Sequence, residues 1–286
     1  MPALKYPLAT RSRAEDEHNS IELRFPSGKL IASFPLAFVR DGGDNTWEFV
    51  LGVLDQLVEP TPDLPGTITD VEGVVVILDD APHAGSFVYT HLGLSLFYRR
   101  SMVDQIPSRG PEYHSKFRRP KPGGTESTVS HSSRSTAWQS KFRELVGVRG
   151  GTCLITDFYY ELCTACHVVP QSRPDVYRQL LGVEEDYEPI MCDASCGLLL
   201  RDDLHKLYDR LEWSLHYKGG TFYVHFFIMG HPDARKYHGA PIPPQRFRGN
   251  PAHRPNPDLT RWHYNQCAKA HIRGFSAGMA LDDDGA

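Results

Sequence analysis

Three runs within residues 153–209 decide how this chain is read: CLITD at 153–157, CTACHVVP at 163–170 and CGLLLRDDLHKLYD at 196–209. Their composition predicts a strand over 152–156, a loop DFYYEL, and a second strand over 163–169. Pro170 stops that strand, because proline has no N–H to offer a ladder. A turn precedes Gly197-Leu198-Leu199-Leu200, and a helix follows over 202–211. Its early Asp202 and Asp203 suit the positive end of a helix dipole. His167 falls near the end of the second strand. His205 and Asp209 lie four residues apart in the helix, so both side chains leave one face.

Two ligands on one helical face and a third group on a facing strand can hold a divalent cation. An imidazole on the strand that is not a ligand is then free to activate water. Phosphodiester hydrolysis needs both parts: charge offset on the phosphoryl oxygens and leaving group, and a base for the nucleophile. On this reading the side chains of His167, His205 and Asp209 converge around one ion and a phosphate oxygen.

The remaining composition sets bounds. A chain of 286 residues with 40% hydrophobic and 23% charged residues can bury a core and suggests two modest domains. No segment has the apolar length of a membrane-spanning helix, and the N-terminus lacks an apolar signal core, so an intracellular protein is expected. Five of the six cysteines, at 153, 163, 166, 192 and 196, fall in the site region, with Cys267 outside it. In a reducing compartment such a cluster reads as buried thiols or metal ligands before disulfides. A net charge of -4 and a pI of 6.4 argue against an indiscriminate nucleic-acid binder, which needs a basic excess to displace counterions. The run from Arg109 to Lys121, with Lys116, Arg118, Arg119 and Lys121 close together, offers a local basic patch for nucleic acid and reads more simply as part of a solvated linker.

Organisation follows from pattern. Residues 1–102 read as an α+β unit: a hairpin about Ser27-Gly28-Lys29, then a helix over 46–57 capped by Asn45. Strands are expected in VEGVVVILDD (71–80) and SFVYTHLGLSLFYRR (86–100). Residues 103–136, rich in Pro, Gly, Ser and charge, cannot offset their ordering entropy by burial and read as a flexible linker. Residues 137–230 form the site domain, closed by a hairpin of WSLHY and TFYVHFFIM. A proline-rich segment and a last helix capped by Thr260 fill 231–286.

The ordered set of motifs resembles the HNH (ββα-metal, or His-Me finger) nuclease domain in its fungal version. Cys153 and Thr156 match an opening C-x-x-T. Residues 163–170 match the strand A-x-H-[IV]-[IV]-P, and Gly197 to Leu200 with Leu204-His205 match N-G-[IL]-L-L…L-H. Tyr208-Asp209 stands where the family commonly has Phe-Asp. The resemblance, joined to the N-terminal α+β unit and the linker read from pattern, implies an α+β protein whose C-terminal part is a ββα-metal domain with an added β-hairpin. It implies cleavage of DNA with one divalent ion, Mg, Mn or Zn, with His167 as general base and His205 and Asp209 as metal ligands. Cys166 occupies a position that supplies a further ligand in several members, and a thiolate there favours zinc. Cys196 replaces the usual Asn whose amide orients the catalytic imidazole, a role a thiol cannot reproduce.

Blander readings stand beside these. His216, His225 and His231 are assigned no role, and Asp209 also reads as a late-helix carboxylate near Arg210. Cys163-x-x-Cys166 with Cys192-x-x-x-Cys196 has the form of a structural zinc site. That form fits a catalytically degenerate nucleic-acid-binding or protein-interaction module. Against it, residues three apart in a strand point to opposite faces. His263, Cys267 and His271 read as one packed helical face.

Overall fold

The structure, a computed structural model, describes residues 19–58, 66–91, 136–182 and 190–272. The expected linker before Thr136, with its basic run, lies outside the described residues. The chain divides into two compact units. One takes residues from 1–111, 225–240 and 267–286, and the other from 112–224 and 241–266. No helix among the described residues is long and apolar enough to cross a membrane.

The first unit holds a four-stranded sheet in the order β2-β1-β4-β3. Strands β1 (Ser20–Arg24) and β2 (Leu30–Pro35) form the antiparallel hairpin. β4 (Gly85–His91) runs parallel to β1 and antiparallel to β3 (Gly66–Thr69). Helix α1 (Leu36–Arg40) follows β2 directly, and α2 (Trp47–Leu57) packs on β2 and β3. Trp47, Val50, Leu54 and Leu57 of α2 are buried with Ile21, Leu23, Ile31 and Phe34 of the sheet. The cap of α2 is Thr46 and not Asn45: its hydroxyl accepts the Phe49 N–H at 3.2 Å, the three-residue reach that capping requires. Residues 71–80 are not the expected strand. The Asp70 carboxylate accepts the N–H groups of Glu72 and Val74, both at 2.9 Å, and Gly73 takes a φ of +87° that bends the chain. Val71, Val74, Val75 and Ile77 are left exposed.

The second unit is built on helix α3 (Thr136–Gly150) and an antiparallel pair, β5 (Cys163–His167) and β6 (Gly197–Arg201). Their register sets Cys163 opposite Arg201, Cys166 opposite Leu198 and His167 opposite Gly197. Helix α4 (Pro174–Leu181) lies between them in sequence, and α5 (Asp202–Asp209) continues from β6. Strands β7 (Trp213–Lys218) and β8 (Thr221–Phe226) make the expected hairpin, and α6 (Pro257–His271) comes last. α6 is capped by Asn256, whose side chain accepts from Asp258 and Leu259, and not by Thr260. Gly197 is a packing requirement, because a Cβ there would meet Phe142 at 2.5 Å and Val146 at 2.6 Å.

Residues 152–156 do not form a strand. Only Thr152 bridges Tyr159, and Asp157 (φ +63°) closes a turn in which Cys153 N donates to Phe158 O at 2.8 Å. Leu154 N donates to Leu199 O at 2.8 Å and ties that turn to β6.

His263 of α6 anchors α5. Its ring stacks on Tyr208 at 3.6 Å and lies 2.8 Å from the Ser214 hydroxyl and 3.2 Å from Tyr208 O. A carbonyl can only accept, so Nε2 carries the proton and Nδ1 accepts from Ser214. Burial pushes this imidazole down to about 3. The unfolded chain therefore takes up a proton below about pH 6.5 that the folded chain refuses until about pH 3. The stabilisation is fully present above that upper limit and falls by about 1.4 kcal/mol per pH unit below it. Chemical denaturation of wild type and His263→Phe at a series of pH values measures this. The variant is expected to be weaker at neutral pH and flatter in acid, and parallel curves would refute the assignment.

Candidate active site

Strand alternation sends Thr164 and Cys166 to one face of β5, toward α5. Thr164 Oγ1 meets the Asp202 carboxylate there. Cys166 lies with His205 and Asp209, and the Sγ, a ring nitrogen and a carboxylate oxygen are all within 4.8 Å of one another. His205 Nε2 is 3.4 Å from Asp209 Oδ2. Cys166 is 1% exposed, while the side chains of His205 and Asp209 are 27% and 54% exposed. Burial, and then Asp209, push the Cys166 thiol well up.

This donor set fits a metal. Donors about 2.0–2.3 Å from one ion lie at most about 4.6 Å apart, so the observed spacing closes with small side-chain movements. One sulfur, one imidazole nitrogen and one carboxylate oxygen make a three-ligand set, and its exposed side leaves a position for water or substrate.

The structure does not bring His167 to this cluster. As the neighbour of Cys166 it takes the other face of β5, toward α3, where its ring stacks on Phe142 at 3.8 Å and 15°. The period-two rule that separates Cys163 from Cys166 separates Cys166 from His167 equally. The Gln171 amide nitrogen lies 3.1 Å from Nε2 and 3.3 Å from Nδ1 of His167. On the same face Cys163 and Ala165 pack against Phe142, Val146, Cys192 and Leu199.

Cys196 ends a short 3-10 turn before β6 and is fully buried. Its thiol, pushed up to about 12 chiefly by burial, donates to Ile190 O at 3.2 Å, and its carbonyl accepts from Val168 N at 2.9 Å. The four-cysteine zinc arrangement is not formed among the described residues. Cys163 Sγ donates to Tyr159 O at 3.3 Å, Cys192 lies in the apolar core, and none of the six cysteines is in a disulfide. Opposite strand faces are the reason Cys163 and Cys166 cannot share an ion.

One residue of this region escaped sequence reasoning. Arg149 is 3% exposed and donates to Ala194 O (2.6 Å), Gly197 O (2.7 Å) and His253 O (3.0 Å). Burial lowers it to about 10. It holds the turn that carries Cys196, and nothing in its local sequence signals carbonyls so far along the chain. Next to α5, a groove of about 530 Å³ is lined by Glu161, Leu162, Thr164, Arg201, Asp202 and Lys206, among others.

No curated protein and no solved structure matches the chain. A family model does: that of HNH endonucleases, over residues 153–216. The match begins at the Cys153 turn, ends within β7, and encloses β5, β6, α5 and every candidate ligand named above. Residues 153–216 of this chain are an HNH nuclease domain.

Proposed function

We propose that this domain hydrolyses phosphodiester bonds of DNA, with one divalent ion on Cys166, His205 and Asp209 and His167 as the general base. The observation that carries the reading is the gathering of those three donors, within the segment that matches the HNH endonucleases. The sulfur donor favours zinc over magnesium or manganese. A bound ion supplies Lewis-acid offset of charge on the phosphoryl and leaving oxygens. Cys166 fixes the inner wall of the site, and Asp209 orients the His205 ring from one turn away. His167, through its unprotonated nitrogen, takes the proton of the attacking water.

A second reading, a module that binds nucleic acid without cutting it, is favoured by one observation. His167 stands against Phe142 on the face of β5 away from the ligands. Metal analysis of the purified protein, with plasmid nicking in magnesium, manganese or zinc, separates the two. Nicking with about one bound ion per chain is the expected result. Stoichiometric metal with no nicking in any of the three would sink the nuclease and leave the binding module.

A further inference from the structure

Residues 241–257 take no part in the proposed chemistry, yet they hold Arg246, Arg248 and Arg254 and no Asp or Glu. In a chain of net charge -4 that is a local reversal of sign. The segment is also stiff. Two 3-10 turns, Pro244–Arg246 and Pro251–His253, each open on a proline, and the Asn250 side chain accepts the Ala252 N–H at 2.9 Å. Proline fixes φ, so little backbone freedom is left to lose when a ligand binds. The segment is tied to the HNH domain at the end of the β5–β6 ladder that carries His167. Arg248 N donates to Arg149 O at 3.0 Å, Arg149 bridges His253 O and Gly197 O, and Gly197 lies opposite His167. Asn256 N donates to Ser195 O at 2.8 Å.

The three arginines are not alike. Arg246 meets the Asp157 carboxylate and donates to Cys153 O at 3.2 Å, so it fastens the segment. Arg248 and Arg254 are exposed, and neither meets a carboxylate among the described residues. The Arg248 guanidinium lies over Gly151, where a Cβ would meet its Nη1 at 2.6 Å. That of Arg254 lies 5.9 Å from the centre of the Phe247 ring. Other arginines of this unit are neutralised: Arg173 by Asp175, Arg201 by Asp203 and Arg261 by Asp258. Arg143 and Arg210 each stand beside an acid in the chain, Glu144 and Asp209.

We infer that Arg248 and Arg254 bind backbone phosphates of double-stranded DNA, as a sequence-independent surface at the His167 end of the site. A guanidinium presents forked donors that match phosphate oxygens, and release of the duplex's counterions drives the contact. Such contacts fix the position of a duplex without reading its bases. This rests on DNA being the substrate of the proposed function, and not on the domain cutting it.

The test titrates the full chain, stripped of metal with EDTA so that nothing is cut, against a labelled DNA duplex at a series of salt concentrations. The logarithm of the wild-type binding constant should fall linearly with the logarithm of salt. Arg248→Gln and Arg254→Gln should each make that slope shallower by about 0.9, and the double variant by about 1.8, equally for duplexes of unrelated sequence. Arg254→Lys keeps the charge and should keep the slope. Arg261→Gln makes the same change of charge at a residue already paired with Asp258, and it should keep the slope too. A wild-type slope in the double variant would overturn the inference, and so would an equal change in Arg261→Gln. Wild type that nicks no plasmid, while the slopes change as expected, sinks the nuclease and leaves this surface standing. Nicking by wild type with slopes that none of the variants alters does the reverse.

Discussion

His167→Ala is expected to lower kcat for DNA nicking by about 10²–10⁴-fold while bound metal stays at its wild-type level. The two halves of that result come from the two faces of β5. On the proposed mechanism, removing the imidazole takes away the group that accepts the water proton. It leaves Cys166, His205 and Asp209 untouched, because none of them shares a face with it. The substitution also strips Phe142 of its stacking partner, which costs about 0.5–1.5 kcal/mol beyond the lost burial. A loss of activity could then be mistaken for a loss of folding. His167→Phe removes the ambiguity, because it keeps an aromatic ring against Phe142 and has no nitrogen. It should be as inactive as His167→Ala, with a denaturation midpoint closer to wild type. Nicking at the wild-type rate in either variant would show that another group takes the proton.

Parts of this arrangement could be read from the sequence because they depend on neighbours in the chain. His205 and Asp209 meet because residues four apart share a helical face. The hairpin of β7 and β8 is legible because two alternating runs flank Gly219-Gly220. Short apolar runs behaved differently. Cys153, Leu154 and Ile155 are all buried, as their composition suggests, but in a turn and not a strand. The run at 71–78 has the same character, yet Val71, Val74 and Val75 are exposed. Composition reports an affinity for burial in the first case and not even that in the second, since the Asp70 turn overrides it. The parallel pairing of β4 with β1 and the bonds of Arg149 to Ala194 and Gly197 join residues dozens of positions apart. No local pattern encodes them. The facing of His167 was legible from alternation alone, and it differs from the convergence that the motif suggests.

His205→Ala should reduce bound metal from about one ion per chain to near none, and nicking should fall with it. The cluster has three donors, and removing the imidazole leaves a buried sulfur and an exposed carboxylate that no longer surround an ion. Cys166→Ser tests the chemistry of the same site more finely. It keeps the shape of the buried side chain and exchanges a soft donor for a hard one, so zinc should be lost preferentially while manganese or magnesium supports what nicking remains. Cys163→Ser and Cys192→Ser are the decisive controls. Both side chains pack on the α3 face of β5, away from His205 and Asp209, so each variant should keep its metal. Were Cys163→Ser to empty the site while His205→Ala left it full, the ion would belong to a cysteine set. The cluster on α5 would then be no more than a half-buried His–Asp contact beside a thiol.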